Sequence, residues 1–477
     1  MGLSNLPADS SGEVSLTISG TPVGWTISEG TNNGDGTWSV MTSDPSALTI
    51  TTPAGFTGAA VLTAAECWTN ADGTTGGATL FDNVEAYAPG SPIFAWSGDD
   101  TLTGSAGADE FVFAQPIGND AIYNFDAAAD RIDLIGFANI AGFAAIQANT
   151  ADDANGNAVI TLGAGESITL KGVGAAALTA GDFVFDQEPV TTNAGAMTIG
   201  DGAVLPLGGT IDNTGTIALA STGGETDLEI LVRGVTLQGG GQVTLSDNSR
   251  NVVFGGDASA VLTNDDNTIS GAGQLGAGQL TLVNSGTILA NESNALVIDT
   301  GSSVVTNSGA LEATGSGGLS VAGAVANSGT LWANGGNLTI GGTVTGGGTA
   351  AIDGTARLEF ASAASANTTF DAGAAGTLKL DQSAGFTGTV AGFAAGDTFD
   401  LADIGFGAGT TLSYAADVGG ISGMLTVSDG AHTASLALLG QYAAAGFQDA
   451  GDAGAGTFVT YVPPSGSDPA LLSQPQH

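Results

Sequence analysis

Asn284-Ser285-Gly286-Thr287-Ile288, Asn307-Ser308-Gly309-Ala310-Leu311 and Asn327-Ser328-Gly329-Thr330-Leu331 repeat one pattern, Asn-Ser-Gly-small-apolar, at intervals of 307 − 284 = 23 and 327 − 307 = 20 residues. An earlier copy reads Asn213-Thr214-Gly215-Thr216-Ile217. A period near twenty residues belongs to stacked solenoid coils, in which each turn of chain buries its apolar face only against the next. Asn-x-Gly supplies the corner, because both residues tolerate tight backbone turns. Alternating runs such as Val243-Thr244-Leu245 and Leu338-Thr339-Ile340 supply the faces, one side inward and one outward. The reading is a parallel β-solenoid over residues 189–369, with its core from Met197 to Phe360.

Composition agrees with an all-β chain. Of 477 residues, 78 are glycine and only 11% are charged, so Asn, Thr, Ser and Gly must cover much of the surface. Six Lys and Arg face 47 Asp and Glu, a net charge of −41, from which no basic patch can be assembled. Nucleic acid and anionic membranes are therefore excluded as expected partners. No apolar run approaches the roughly 18 residues of a membrane span, so membrane insertion is not expected. Cys67 is the one cysteine, which rules out an intramolecular disulfide and leaves bound calcium as the expected source of stability outside the cell. Met1-Gly2-Leu3-Ser4-Asn5-Leu6-Pro7 has neither a basic nor an apolar signal region, so any export address is expected elsewhere.

Working toward the N-terminus, residues 12–88 alternate apolar and polar positions, as in Val14-Ser15-Leu16-Thr17-Ile18. Hairpin chemistry interrupts them at Asn32-Asn33-Gly34-Asp35-Gly36 and Asn70-Ala71-Asp72-Gly73. Residues 1–90 read as a β-sandwich with Trp25, Trp38 and Trp68 in its core. The stretch Gly34-Asp35-Gly36-Thr37-Trp38-Ser39-Val40 resembles the immunoglobulin-like or cadherin-like modules of large bacterial adhesins. In those modules more strand usually precedes the position of Val14, which fits a chain that continues a longer protein.

After Pro89-Gly90-Ser91-Pro92, residues 91–188 carry Gly98-Asp99-Asp100-Thr101-Leu102, Gly107-Ala108-Asp109-Glu110-Phe111 and Gly118-Asn119-Asp120-Ala121-Ile122. Glycine turns the backbone tightly and aims carbonyls, aspartate adds a hard oxygen, and the apolar residue points inward. These units, followed by Ile122-Tyr123-Asn124-Phe125-Asp126 and Asp130-Arg131-Ile132-Asp133-Leu134, resemble the RTX family's short calcium β-roll and its closing cap, through Gly181-Asp182-Phe183-Val184-Phe185. The resemblance implies calcium as cofactor, with Gly98, Asp100, Gly107, Asp109, Gly118, Asp120, Asp126 and Asp130 as its ligand set. It also implies export by type I secretion machinery. Successive turns of such a roll fall on opposite sides. Asp100 is therefore expected to share a side with Asp120, not with Asp109, while Asp109 recruits Asp126 or Asp130. The two-residue insertion at Gln115-Pro116 is where that register is most exposed to error.

Residues 370–462 read as a second β cap. Phe393-Ala394-Ala395-Gly396-Asp397-Thr398-Phe399-Asp400-Leu401 parallels Phe125 to Leu134 with one residue fewer, and the runs at Met424–Val427 and Ala434–Leu439 echo Ala158–Leu162 and Ser167–Leu170. The expectation is one strand order in both segments, each covering an edge that would otherwise invite association. Residues 463–477 read as a disordered tail.

An enzymatic reading has little to build on. His432 sits at a hairpin tip and His477 is the last residue, so a histidine triad or zinc cluster is not expected. Cys67 has no nearby cation and is expected to pack as an ordinary thiol. Glu225, Asp227, Glu229 and Arg233 form the dense charged cluster of the solenoid, the place where a β-helix polysaccharide lyase or hydrolase would carry its acids. The expected fold is thus an immunoglobulin-like sandwich, a short parallel β-roll with cap, a parallel β-solenoid and a C-terminal β cap. The expected function is a secreted, calcium-binding structural or adhesive protein of the cell surface or biofilm matrix, meeting a glycan or protein ligand. A self-assembling surface-layer protein is the other alternative, and self-association is among the expected partners.

Overall fold

Thr287-Ile288-Leu289-Ala290 shows how the sequence becomes structure: its residues alternate half-buried and fully buried, and the strand ends after four residues. The computed structural model describes residues 12–464. Half of the protein is strand and about one residue in twenty-five is helical, so it is all-β, and its core is a parallel β-solenoid. Within the described range, the residues up to Val235 with Arg250–Ala260 form one compact unit, and Thr236–Ser249 with those from Val261 onward form the other.

In the second unit each regular coil contributes three short strands, as in Thr281–Asn284, Thr287–Ala290 and Leu296–Ile298, then Val305–Asn307, Ala310–Ala313 and Leu319–Val321. Parallel pairing stacks like on like. Ile269, Ile288, Leu311, Leu331 and Ala350 form one column, and Leu296, Leu319, Leu338, Leu358, Leu378 and Phe399 form another. All are buried to 1% exposure or less except Leu319 at 2%. Each such side chain is worth about 1.5–3 kcal/mol of burial, so the columns set the register. A slip by one residue would turn every one of them outward.

The corners are held from inside. Asn264, Asn284, Asn307 and Asn327 pair in register. Each side-chain Nδ2 donates to the Oδ1 of the next asparagine, at 2.8, 2.8 and 2.7 Å. The same Nδ2 of Asn284 reaches the Gly286 carbonyl, and that of Asn307 the Gly309 carbonyl. The motif residue read as a turn former is therefore also a buried polar ladder. Asn193 and Asn213 make the same bond at 2.8 Å in the first unit.

The first unit opens with an antiparallel sheet in which Gly30–Asn32, Thr37–Thr42, Val14–Ser19, Thr57–Thr69 and Thr75–Ala86 are successive neighbours. Trp25 and Trp38 are buried in its core with Val14, Leu16, Ile18 and Leu62, and Trp68 packs against it partly exposed. A separate short pair, Thr26–Ile27 with Ile50–Thr51, adds Ile27 and Ile50 to the same core. The sheet does not end at the boundary near residue 90. Thr57, Gly58 and Ala59 pair in parallel with Met197, Thr198 and Ile199, the first strand of solenoid on that face. Gly58 is required there, because a Cβ would sit 1.9 Å from the Thr198 carbonyl oxygen.

Residues 91–188 wind between two sheets. Ile93–Phe94, Glu110–Ala114, Arg131–Ile135 and Phe183–Phe185 run parallel in one. Thr101–Thr103, Asn119–Tyr123 and Glu166–Leu170 run parallel in the other, which then continues antiparallel through Ala158–Gly163 to Thr150–Asp152. Leu102, Phe111, Phe113, Ile122, Ile132 and Leu134 fill the space between them.

The expected likeness of the two terminal segments holds for most of their length. In the later segment Thr433–Leu439 pairs parallel with Thr389–Ala391, and Ser422–Ser428 and Thr411–Ala416 follow antiparallel, matching the earlier order strand for strand. The two then part. Phe183–Phe185 lies parallel to Arg131–Ile135, whereas Thr398–Leu401 is met antiparallel by Thr457–Tyr461, to which Phe447–Gly451 adds. The extra hairpin brings an aromatic cluster of Tyr414, Tyr442, Phe447 and Tyr461, with ring centroids 4.9–5.8 Å apart. The helix Phe143–Ala148 has no counterpart there. The tail expectation for residues 465–477, like the reading of residues 1–11, lies outside the described residues.

Candidate functional site: the aspartate corners

The Gly98 and Gly107 units each end their turn on a short strand, and their aspartates, like Asp130 further on, look back at the turn. Trp96 N–H donates to Asp100 Oδ2 at 3.3 Å and Ser105 N–H to Asp109 Oδ2 at 2.6 Å. Asp126 N–H donates to Asp130 Oδ2 at 2.8 Å. All three bonds span four residues, so the carboxylate closes its own turn. A second set ties one coil to the next. Asp100 N–H donates to Asp120 Oδ1 at 2.8 Å, and Asp109 N–H to Asp130 Oδ1 at 2.9 Å.

The structure therefore brings Asp100 to Asp120 and Asp109 to Asp130, and it does not pair Asp100 with Asp109. The insertion at Gln115-Pro116 is absorbed before the strand begins, since Ala121 and Ile122 pair with Thr101 and Leu102. Asp126 serves the turn itself, accepting Ala128 N–H at 2.9 Å. The glycines are backbone partners: Gly118 N–H donates to the Gly98 carbonyl at 3.2 Å, and Ser167 N–H to that of Gly118 at 3.1 Å. Gly107 N–H donates to Ser105 Oγ at 3.0 Å.

The two sides differ electrostatically. Asp120 is 1% exposed and its Oδ2 is buried with no hydrogen-bond partner. Burial first, then the charges of Asp100 and Asp99, push its pKa up to about 8. Burial likewise raises Asp100 to about 6. On the other side both oxygens of Asp109 and both of Asp130 accept protein donors. An orphaned buried carboxylate oxygen fits a cation, so the Asp100–Asp120 side fits calcium, whereas on the other side Asp109 and Asp130 are already satisfied by backbone amides and the Ser105 hydroxyl. Among the described residues no three His, Cys, Asp or Glu side chains gather closely enough to hold a metal ion by themselves.

Two aspartates of the same kind escaped the sequence reading. Asp99 Oδ1 accepts Asn119 N–H at 2.8 Å, adding to the Asp100 side. Asp397 is 1% exposed and accepts Ala394 N–H at 2.8 Å and Gly376 N–H at 3.2 Å, the same two bonds that Asp130 makes. The signal for it was present, because Asp397 aligns with Asp130 in the parallel drawn between Phe393–Leu401 and Phe125–Leu134.

The acids of the solenoid's charged cluster lie near enough to repel one another, and the cation read with them is engaged elsewhere. Glu229 lies fully buried and receives Ser97 N–H at 3.3 Å. Burial, then Glu225 and Glu229, raises Asp227 to about 7. Arg233 turns away from both, to Asp186 at 2.7 Å, with each side chain half exposed. His432 is a solvated hairpin residue whose Nδ1 lies 3.3 Å from Asp429. Cys67 corrects an expectation: it is exposed, because it sits on the outward face of a strand between Ser15 and Gly77, where nothing covers it. The chain matches no protein-family model, no curated protein and no solved structure.

Proposed function

We propose that this protein is a non-catalytic structural module of a bacterial cell surface or biofilm matrix, exported by a type I system and presenting its β faces to a glycan or protein ligand. The observation that carries the reading is the buried ladder Asn264–Asn284–Asn307–Asn327 inside stacked apolar columns. It specifies a long regular β surface, and it commits the buried polar side chains to holding shape. The terminal segments at 122–185 and 389–461 act as closures of the coils that precede them.

Calcium is the cofactor of this reading, held by Asp100 and Asp120 beside the Gly98 and Gly118 turns. When bound it would neutralise carboxylates that otherwise keep a proton. Asp99 draws the neighbouring turn in, and Asp109, Asp126 and Asp130 fasten the opposite side through backbone amides with no ion. The test is where the protein is found and what it does there. Antibody reaching it on intact producer cells, with retention on a surface glycan or protein and no sugar release, is the expected result. Protein confined to the cytoplasm, or product released from pectin or alginate, would contradict it.

A further inference from the structure

The two terminal segments share a strand order, so each serves as the control for the other, and they treat their outermost strand differently. In the earlier segment that strand is Thr150–Asp152, three residues long, ending in Asp152 and followed by Asp153. A short edge bearing charge is how sheets avoid pairing with other chains. In the later segment the equivalent is Thr411–Ala416, six residues, Thr-Leu-Ser-Tyr-Ala-Ala, with no charge and no proline within it; Asp417 follows it, as Asp153 follows the earlier strand. Among the described residues it pairs only with Ser422–Ser428, so its other edge is open. The other long edge strand, Thr75–Ala86, is guarded by Asp82 and Glu85 and clasped by Asn83, whose side chain bonds both the N–H and the carbonyl of Val204 at 2.9 Å.

Beside the open edge lies an apolar surface. Met424, 41% exposed, stands across from Ala415 on one side and Ala437 on the other. Leu439 is 45% exposed, and the hairpin loop adds Val418 and Ile421. Leu412 and Tyr414 point inward and are covered only in part, Tyr414 by the rings of Tyr442 and Phe447 at 5.8 and 5.2 Å.

We infer that Thr411–Ala416 is a self-association edge, pairing antiparallel with the same strand of a second copy of this chain about a two-fold axis. Residues of one face must stay on that face when strands add, so a residue of the strand faces its own counterpart on the two-fold, and the register proposed is the one that sets Ser413 there, with no aromatic ring on the axis. Thr411 then faces Ala415, and Leu412 faces Tyr414. No charged residue meets a like charge anywhere along the pair, which a chain of net charge −41 could not offer over most of its surface. The pairing joins two three-stranded sheets into one of six, covers Leu412 and Tyr414, and doubles the Met424 surface across the axis. Because the two bodies repel at long range, the association strengthens with added salt.

Sedimentation of the full chain from roughly 1 to 100 µM, the range expected for a small interface, with amide hydrogen exchange at both limits, tests it. The expected result is a dimer that grows with concentration and with salt, with protection of Thr411–Ala416 rising in step. Ser413→Glu places two carboxylates face to face on the axis and should cut the dimer at least about tenfold, while Met424→Thr weakens it less. A monomer under all conditions overturns the proposal. So does a dimer undiminished in Ser413→Glu, or protection of the strand that is the same at both concentrations, which would mark cover by the chain itself.

Discussion

The aspartate corners of residues 98–130 and the asparagine corners of residues 264–327 solve one problem with side chains that differ by a single group. Both place a side-chain oxygen inside a coil corner, and both repeat it about twenty residues later, where stacking brings the copies together. Asparagine carries a donor as well as an acceptor, so each copy bonds the next and the ladder closes on itself without charge. An ionised aspartate only accepts. It must take backbone amides, and where these run out, as at Asp120 Oδ2, it keeps a proton or needs a cation. The asparagine region is therefore built to be indifferent to pH and ions, and the aspartate region is built to respond to them.

The contrast is broken most severely from the asparagine side. Asn307→Asp puts a carboxylate at a fully buried position and removes the donor to Asn327. The expected loss is about 3–5 kcal/mol in denaturant unfolding of the second unit, the cost of a buried unpaired charge. A variant of near-wild-type stability would mean that the ladder is not what fixes the corner.

Asp130→Asn and Asp397→Asn come next. Each aspartate accepts two amides with two oxygens, and asparagine has one oxygen, so one amide in each variant loses its acceptor. A loss of about 1–3 kcal/mol is expected at both sites. Equal losses with and without calcium would show the shared amide role, while a loss at Asp130 that appears only with calcium would assign that residue to the ion.

The effect expected at Asp120 is set apart by having a direction in pH. Its folded pKa of about 8 lies above the ordinary carboxylate value near 4. The folded state thus holds the proton more tightly, so the contribution of Asp120 to stability is greatest below about pH 4, falls as pH rises toward 8, and changes no further above it. Asp100, at about 6, adds to the fall below 7. Asp120→Asn keeps the acceptor for Asp100 N–H and should flatten this profile, staying near wild type at pH 5 and exceeding it at pH 9 without calcium. An unchanged slope in melting temperature against pH would remove Asp120 as its source.

The solenoid was legible because its signal is periodic: Asn284, Asn307 and Asn327 recur with apolar neighbours at fixed offsets, and parallel stacking converts that period directly into columns. The side sharing of Asp100 with Asp120 was legible for the same reason. What spacing could not show is what an oxygen accepts. Aspartates quoted as ligands turn out to hold Trp96, Ser105 and Asp126 amides, and only burial separates Asp120 from Asp109. Cys67 was misread because alternation gives two faces without saying which is covered. The parallel pairing of Thr57–Ala59 with Met197–Ile199 joins residues about 140 positions apart, and no local pattern records it.

Hydrogen exchange of the full chain at pH 8, with calcium and with chelator, reads both regions in one experiment. The account predicts that amides of Asp100, Thr101, Asn119 and Asp120 gain protection with calcium while those of Asn264, Asn284, Asn307 and Asn327 do not change. Equal response in both regions, or none in the aspartate region, would contradict it.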